Sequence, residues 1–240
     1  MRLDKFVCKS TELTKSEAIK QINAGEVSVN DGITTDEATQ VHEKNRVMLD
    51  GIRLKARDFR YILMHKPAGT ICSNVDEAYP SLFNSLKVNR SDLDRLSELH
   101  IAGRLDADTS GLVLITDDGR WSFNITLPTN QCSKVYRVGL SNKMSDEIAV
   151  DVIDKFEKGL QLQGEQQLTL PATLQVITPR EVLLTLTEGK FHQVKRMFAA
   201  VGNRAVTLHR EQIGDICLDV EVGQWRYLTN DEVQSFSIPL

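Results

Sequence analysis

Short apolar runs closed by turn residues, rather than long helical periods, set the terms on which this chain can fold. Val27 and Val29 alternate with polar neighbours before Asn30-Asp31-Gly32, and Val47-Met48-Leu49 precedes Asp50-Gly51. Tyr61 to Met64 run apolar into His65-Lys66-Pro67-Ala68-Gly69, and Leu112 to Thr116 end at Asp117-Asp118-Gly119. Lys134 to Leu140 alternate, and Glu181 to Thr187 form one more such run. Proline lacks the ladder N–H and glycine supplies positive φ, so both close strands, and each run reads as one. Helical periods are fewer. Leu3, Phe6 and Val7 fall at i, i+3, i+4; Ala18, Ile19 and Ile22 line a second helix that Thr14 or Ser16 can cap and Ala24-Gly25 can end. Ser145 can cap a third, with Ile148, Val152 and Phe156 at i, i+4, i+8, and a fourth runs from about Phe191 to Val201 with Gly202 behind it. Residues 76 to 98 are polar and show no period. Strands outnumber helices without βαβ regularity, so the expected class is α+β, with a mixed, largely antiparallel sheet flanked by helices.

A chain of 240 residues can bury one core plus that of a small accessory module. Residues 1–57, two helices followed by short strands, form such a module; Leu54-Lys55-Ala56-Arg57-Asp58 reads as a linker, and residues 61–240 as the larger domain. No stretch approaches the roughly 18 apolar residues of a membrane span. MRLDKFVCKS has no apolar h-region, so it is not read as a secretory signal. The four cysteines, Cys8, Cys72, Cys132 and Cys217, are scattered without a CxxC pair, which argues against a zinc site or disulfide framework and for a reducing, cytoplasmic setting.

The net charge of −4 conceals an asymmetry. Leu186 to Arg210 hold five Lys/Arg against one Glu, whereas Glu211 to Leu240 hold six acids against Arg226. The first twenty residues carry Arg2, Lys5, Lys9, Lys15 and Lys20 against three acids. Basic patches on an acidic chain suit selective RNA contact, although solvated helices often look the same.

Chemistry concentrates at Ala102-Gly103-Arg104-Leu105-Asp106-Ala107-Asp108-Thr109-Ser110-Gly111-Leu112. Taken alone, a Gly/Asp/Thr/Ser loop before an apolar strand is a turn held by Asx-type hydrogen bonds. Arg104, two residues before Asp106, can keep a carboxylate ionised and nucleophilic. Spacing does not choose between Asp106 and Asp108. No Gly-rich phosphate loop, nucleotide fingerprint or metal-ligand cluster accompanies them, so no cofactor and no metal are expected.

GRLDADTSGL resembles the GRLDxxTSGL signature of pseudouridine synthases of the RsuA and RluA type. The resemblance implies Asp106 as nucleophile and Arg104 as the residue that holds the helix open while the target base is extruded. Three other strings agree with it. His65-Lys66-Pro67-Ala68-Gly69, by itself an ordinary turn, resembles the KPxG turn near the active site. Lys134-Val135-Tyr136-Arg137-Val138 resembles the K-x-Y strand, which implies Tyr136 against the target base; a lone strand Tyr is otherwise more often core. Glu188-Gly189-Lys190-Phe191-His192-Gln193-Val194-Lys195-Arg196-Met197 resembles EGxxHQV(R/K)RM. On a wheel, Val194, Met197, Phe198 and Val201 form the buried stripe, and Lys195 lies about 100° from Val194, flanking it. Lys195 can thus reach a cleft, as its family position implies, while Arg196 points away toward solvent or phosphate. Lys190, His192 and Arg196 join Arg104 in the RNA-facing set. RLDKF and INAGEVSVNDG resemble the S4 RNA-binding domain, whose basic helices lie on phosphates; this sequence departs from the usual form at Lys15-Ser16 and at Glu43-Lys44-Asn45.

The implied reaction isomerises uridine to pseudouridine in structured ribosomal RNA after base extrusion. The resemblance favours a single site in 16S rRNA, met in a partly assembled small subunit by a monomer away from any membrane. Large-subunit relatives often carry a long basic tail, and none is seen here. A 23S rRNA synthase of the same family is the near alternative. A non-catalytic S4-type assembly factor is the distant one, which would tolerate Asn at position 106.

Overall fold

The computed structural model describes residues 1–42, 44–89 and 95–236. Glu43, part of the 76–98 stretch and the last four residues of the larger domain lie outside them. The chain divides into two compact units, Met1–Phe59 and Arg60–Leu240.

In the first unit, α1 (Leu3–Ser10) and α2 (Lys15–Asn23) precede β1 (Val27–Val29), β2 (Gly32–Ile33), β3 (Val47–Leu49) and β4 (Ile52–Arg53). Thr14 is the cap of α2: its hydroxyl accepts the Glu17 N–H, and the Glu17 carboxylate takes the Thr14 N–H in return. The strands form an antiparallel sheet in the order β2-β1-β3-β4. Its two hairpins turn on Asn30-Asp31 and Asp50-Gly51, all four at positive φ, as two-residue turns that follow the strand twist require. Leu3, Val7, Ala18, Ile22, Val27 and Val47 close a core between helices and sheet.

The second unit runs β5 (Tyr61–Lys66), α3 (Phe83–Asn89), β6 (His100–Ala102), β7 (Ser110–Thr116), α4 (Gly119–Thr126), β8 (Lys134–Leu140) and α5 (Asp146–Lys158). It continues with β9 (Thr173–Thr178), β10 (Glu181–Leu186), α6 (Gln193–Ala200), β11 (Ala205–Ile213), β12 (Ile216–Cys217), β13 (Trp225–Tyr227) and α7 (Asn230–Gln234). The sheet order is β13-β5-β7-β11-β8-β10-β9, with β6 on β7 and β12 on β11. Among the described strands only β7 and β11 pair in parallel. The fold is therefore α+β with a mixed, largely antiparallel sheet flanked by helices. Ile62, Met64, Val113 and Ile115 enter one core, with Phe156 and Phe198; Leu63, Leu112 and Leu114 enter the other, with Trp121 and Ile125. Cover on both faces explains why β5 and β7 read as continuous apolar runs.

Four local expectations change. The stretch read as irregular contains α3, which buries Phe83 and Leu86, with Leu82 buried just before it. Asp118 does not merely close a turn; its carboxylate caps α4 by accepting the Arg120 and Trp121 N–H groups. Val152 and Phe156 of α5 are buried but Ile148 is half exposed, because the helix meets the sheet only beyond its first turn. The strand β11, the longest of all, was hidden by a sequence that mixes Thr, His, Arg and Glu with aliphatics.

Candidate active site

The loop between β6 and β7 carries Gly103 to Thr109 and is anchored from below. Lys66, fully buried at the end of β5, donates to Thr109 O at 2.7 Å, Pro67 O at 3.2 Å and Ala107 O at 3.3 Å. Burial pushes its ammonium pKa down, against the upward pull of Cys72 and the two loop carboxylates. The Gly69 N–H bonds Ala107 O at 2.8 Å, and the Leu105 N–H reaches Cys72 Sγ at 3.3 Å.

Arg210 ties the two ends together. It is buried on β11, and donates through Nε to Leu112 O and through Nη2 to Gly103 O, both at 2.8 Å. Its Nη1 lies 3.4 Å from the Tyr136 hydroxyl. Gly111 makes this possible. At φ 114° it pairs with Arg210, and a Cβ there would stand 2.3 Å from Arg210 O. No other residue lets β7 and β11 approach so closely.

Above this scaffold the side chains converge. Asp106 Oδ2 lies 3.0 Å from Lys195 Nζ, and Asp106 Oδ1 lies 3.4 Å from His192 Nε2. Lys195 also meets Asp108, at 2.7 and 2.9 Å to its two oxygens. Burial lowers the Lys195 pKa, but hydrogen bonds and charge from Asp108 and Asp106 outweigh it and hold the ammonium above its usual range. The same hydrogen bond holds Asp108 below the usual carboxylate range. Val194, Met197 and Phe198 turn α6 into the core, which sets Lys195 on its flank facing the loop. Asp106 is 29% exposed, against 72% for Asp108, so Asp106 sits within the cleft and Asp108 at its rim.

An open cleft brings together Arg104, Asp106, Tyr136, Lys190, His192 and Lys195. Tyr136 lies mostly under the surface, whereas Arg104 is exposed, with no side-chain partner among the described residues. The loop that carries Lys190 and His192 is set by Glu188 and Gln193: the buried Glu188 carboxylate accepts from Gln193 Nε2 at 2.7 Å and from the Leu170 N–H at 2.9 Å, and Gln193 Oε1 takes the Lys190 N–H at 2.8 Å.

Several basic residues behave otherwise than their charge suggests. Arg196 does point away from Asp106, but it is not a free cation. It bonds Glu165 Oε1 at 3.0 Å, Phe191 O at 3.0 Å and Gln163 O at 2.7 Å, and Glu165 also takes Lys190 at 3.4 Å. The basic run from Leu186 to Arg210 is thus largely consumed inside the protein. In the first unit Lys5, Lys15 and Lys20 are exposed, and Arg2 is half exposed beside Asp4. Lys9 does not belong with them: it is 5% exposed, bonds Asp58 O at 3.1 Å and lies over the Phe59 ring. Sequence reasoning also missed Lys66 and Arg210 as anchors of the loop. Lys66 lay in a string noticed only as a turn, and nothing local marks Arg210 as buried. Among the described residues no group of three or more His, Cys, Asp or Glu is placed to hold a metal ion, and no helix is long and apolar enough to cross a membrane.

The second unit holds an Asp-centred cleft on a mixed sheet, and the first is a separate two-helix unit with exposed lysines. The RNA pseudouridylate synthase family matches residues 60–200 and the S4 domain matches residues 1–47; the chain belongs to that family and is an RNA pseudouridine synthase. Within the family it is similar to the ribosomal small subunit pseudouridine synthase A of Vibrio cholerae, 48% identical over 98% of this chain and 99% of the relative. The Escherichia coli K12 protein of the same name is 44% identical over 98% and 99%. Among solved structures, a pseudouridylate synthase crystal structure is 38% identical, with a TM-score of 0.70 over 99% of this chain and 100% of that one.

Proposed function

We propose that this protein converts a uridine of 16S ribosomal RNA to pseudouridine, with Asp106 as the attacking group. The observation that carries the assignment is the position of Asp106: it lies inside the cleft, accessible to a nucleotide, with Lys195 at 3.0 Å and His192 at 3.4 Å. Asp106 lines the cleft with the Lys195 ammonium beside it, and a carboxylate so placed can attack a sugar carbon. The names of the similar proteins point to the small subunit.

In the proposed sequence Asp106 attacks C1′ of the extruded nucleotide. The N1–C1′ bond breaks and its electron pair leaves on the uracil, which the cleft retains. The uracil turns, C5 bonds C1′ and displaces Asp106, the C5 proton leaves to a base, and N1 gains a proton. Nothing is oxidised, reduced or hydrolysed. Tyr136, held by Arg210, packs against the base; Arg104 fills the place the base vacated, offsetting the few kcal/mol that unstacking costs. Lys190 and His192 face the RNA at the mouth of the cleft.

The S4 unit holds folded RNA through Arg2, Lys5, Lys15 and Lys20, reading phosphate spacing more than base sequence. The substrate is a partly assembled small subunit, and the enzyme acts as a cytoplasmic monomer. Carbodiimide mapping of ribosomal RNA from cells lacking the gene tests the assignment. One pseudouridine stop should disappear from 16S rRNA and every 23S stop should remain. Loss of a 23S stop instead would move the protein to the large-subunit branch of its family.

A further inference from the structure

Phe191 is 75% exposed, more than any other large apolar side chain among the described residues, and it belongs to neither core of its unit. An exposed phenylalanine contributes nothing to folding, yet this one is carefully held. Arg196 bonds its carbonyl at 3.0 Å, and Gln193 fixes the neighbouring Lys190 N–H at 2.8 Å. His192 takes a left-handed backbone conformation, φ 48° and ψ 34°, which residues other than glycine seldom adopt. That turn lays the two adjacent rings on each other, with centroids 3.8 Å apart and planes 20° from parallel. The far edge of the stack ends at Asp106, where His192 Nε2 is 3.4 Å from Oδ1. The near end offers the open face of Phe191 to solvent. His192 lines the cleft together with Arg104 and Asp106, and Phe191 stands beside it outside that lining, so the stack leads from the cleft to the open surface. Exposed aromatic faces bind unstacked nucleobases, whatever their identity, because every base has a π-face.

We propose that Phe191, backed by His192, is a stacking subsite for a nucleobase next to the target uridine in the RNA strand. The inference rests on the reading of the cleft as the uridine site. It gives the enzyme a hold on the strand beside the extruded nucleotide, and it favours targets whose neighbour is already unpaired.

Full-length Phe191→Ala, Phe191→Leu and Phe191→Trp variants can be compared with the unaltered protein on small-subunit particles from cells lacking the gene, measuring KM and kcat by tritium release. Stacking predicts that Ala and Leu each raise KM about tenfold or more, the range of one base–aromatic contact. It predicts kcat within about threefold and near-normal KM for Trp, by the same stacking argument. Thermal melting of all three should match the parent, since the ring supports no core. Leu restoring the parent KM would overturn the inference, since any apolar contact, including one to a ribosomal protein, would then suffice. So would an unchanged KM in Ala, or a fall in kcat at unchanged KM, which would mean that the ring acts only through His192 on Asp106. Particles left unmodified by the unaltered protein would instead overturn the reading of the cleft itself.

Discussion

Lys195 Nζ lies 3.0 Å from Asp106 Oδ2, a contact that joins residues 89 positions apart and places a helix flank against a loop. The same ammonium binds Asp108 at the rim. Asp106 is thereby paired without being fully buried, which leaves it reachable from the cleft.

The pair predicts a pH effect of definite sign. Asp108 supplies the first of the contributions that raise the Lys195 pKa, while burial pulls the other way. Asp108→Asn removes its share of the upward pull and leaves the burial and the pull of Asp106, so Lys195 must titrate at lower pH than in the parent. In the parent, the stabilisation of the ammonium persists through neutral pH and is lost only as pH rises through the raised value. Following the Lys195 ε-carbon by NMR checks this; an unchanged or higher midpoint in the variant would contradict it. Lys195→Met should cost kcat on the order of 10²- to 10³-fold, the scale of one lost electrostatic contact in a cleft.

Arg196→Met should behave differently from its neighbour. Arg196 secures Gln163, Glu165 and the Phe191 carbonyl, so its loss should lower stability by about 1–3 kcal/mol. The salt dependence of RNA binding should stay as it was, because the charge is not presented to phosphate. A slope flattened by about one unit would show that it is.

Gly111→Ala tests the scaffold. A Cβ 2.3 Å from Arg210 O cannot be accommodated by a side-chain shift, because the obstacle is backbone. The variant should lose on the order of 2–4 kcal/mol or fail to fold, far beyond an ordinary surface Gly→Ala change. A melting temperature near the parent's would refute the close pairing of β7 with β11.

These contrasts mark what the sequence could disclose. The wheel put Lys195 on the flank of α6 and Arg196 away from the cleft, since helical geometry is local. It could not find Glu165, 31 residues before Arg196, whose loop has no period. The runs read from the sequence are β1, β3, β5, β7, β8 and β10, but β11 went unseen because its buried Arg210 reads as a surface charge. Lys9 failed for the same reason: a lysine whose ammonium bonds a backbone carbonyl looks, in one dimension, like any other. Asp106 and Asp108 were inseparable by spacing; the family signature chose between them, and spacing says nothing of their different exposure in the fold.

Removing residues 1–59 should leave a folded remainder, since both cores of the second unit draw only on residues from Tyr61 onward. Affinity for rRNA should fall far more than the rate at saturating RNA. Unfolding of the truncated chain by circular dichroism, or full activity at low substrate, would contradict this division of labour.

Asp106→Asn tests the central claim most directly. It preserves shape and hydrogen bonding but removes the charge that attacks. Tritium release from 5-tritiated uridine in small-subunit particles should fall to background, while affinity for the same particles stays within about threefold, as expected when only a transition-state interaction is lost. Appreciable turnover by the Asn variant would contradict the assignment of Asp106 as nucleophile.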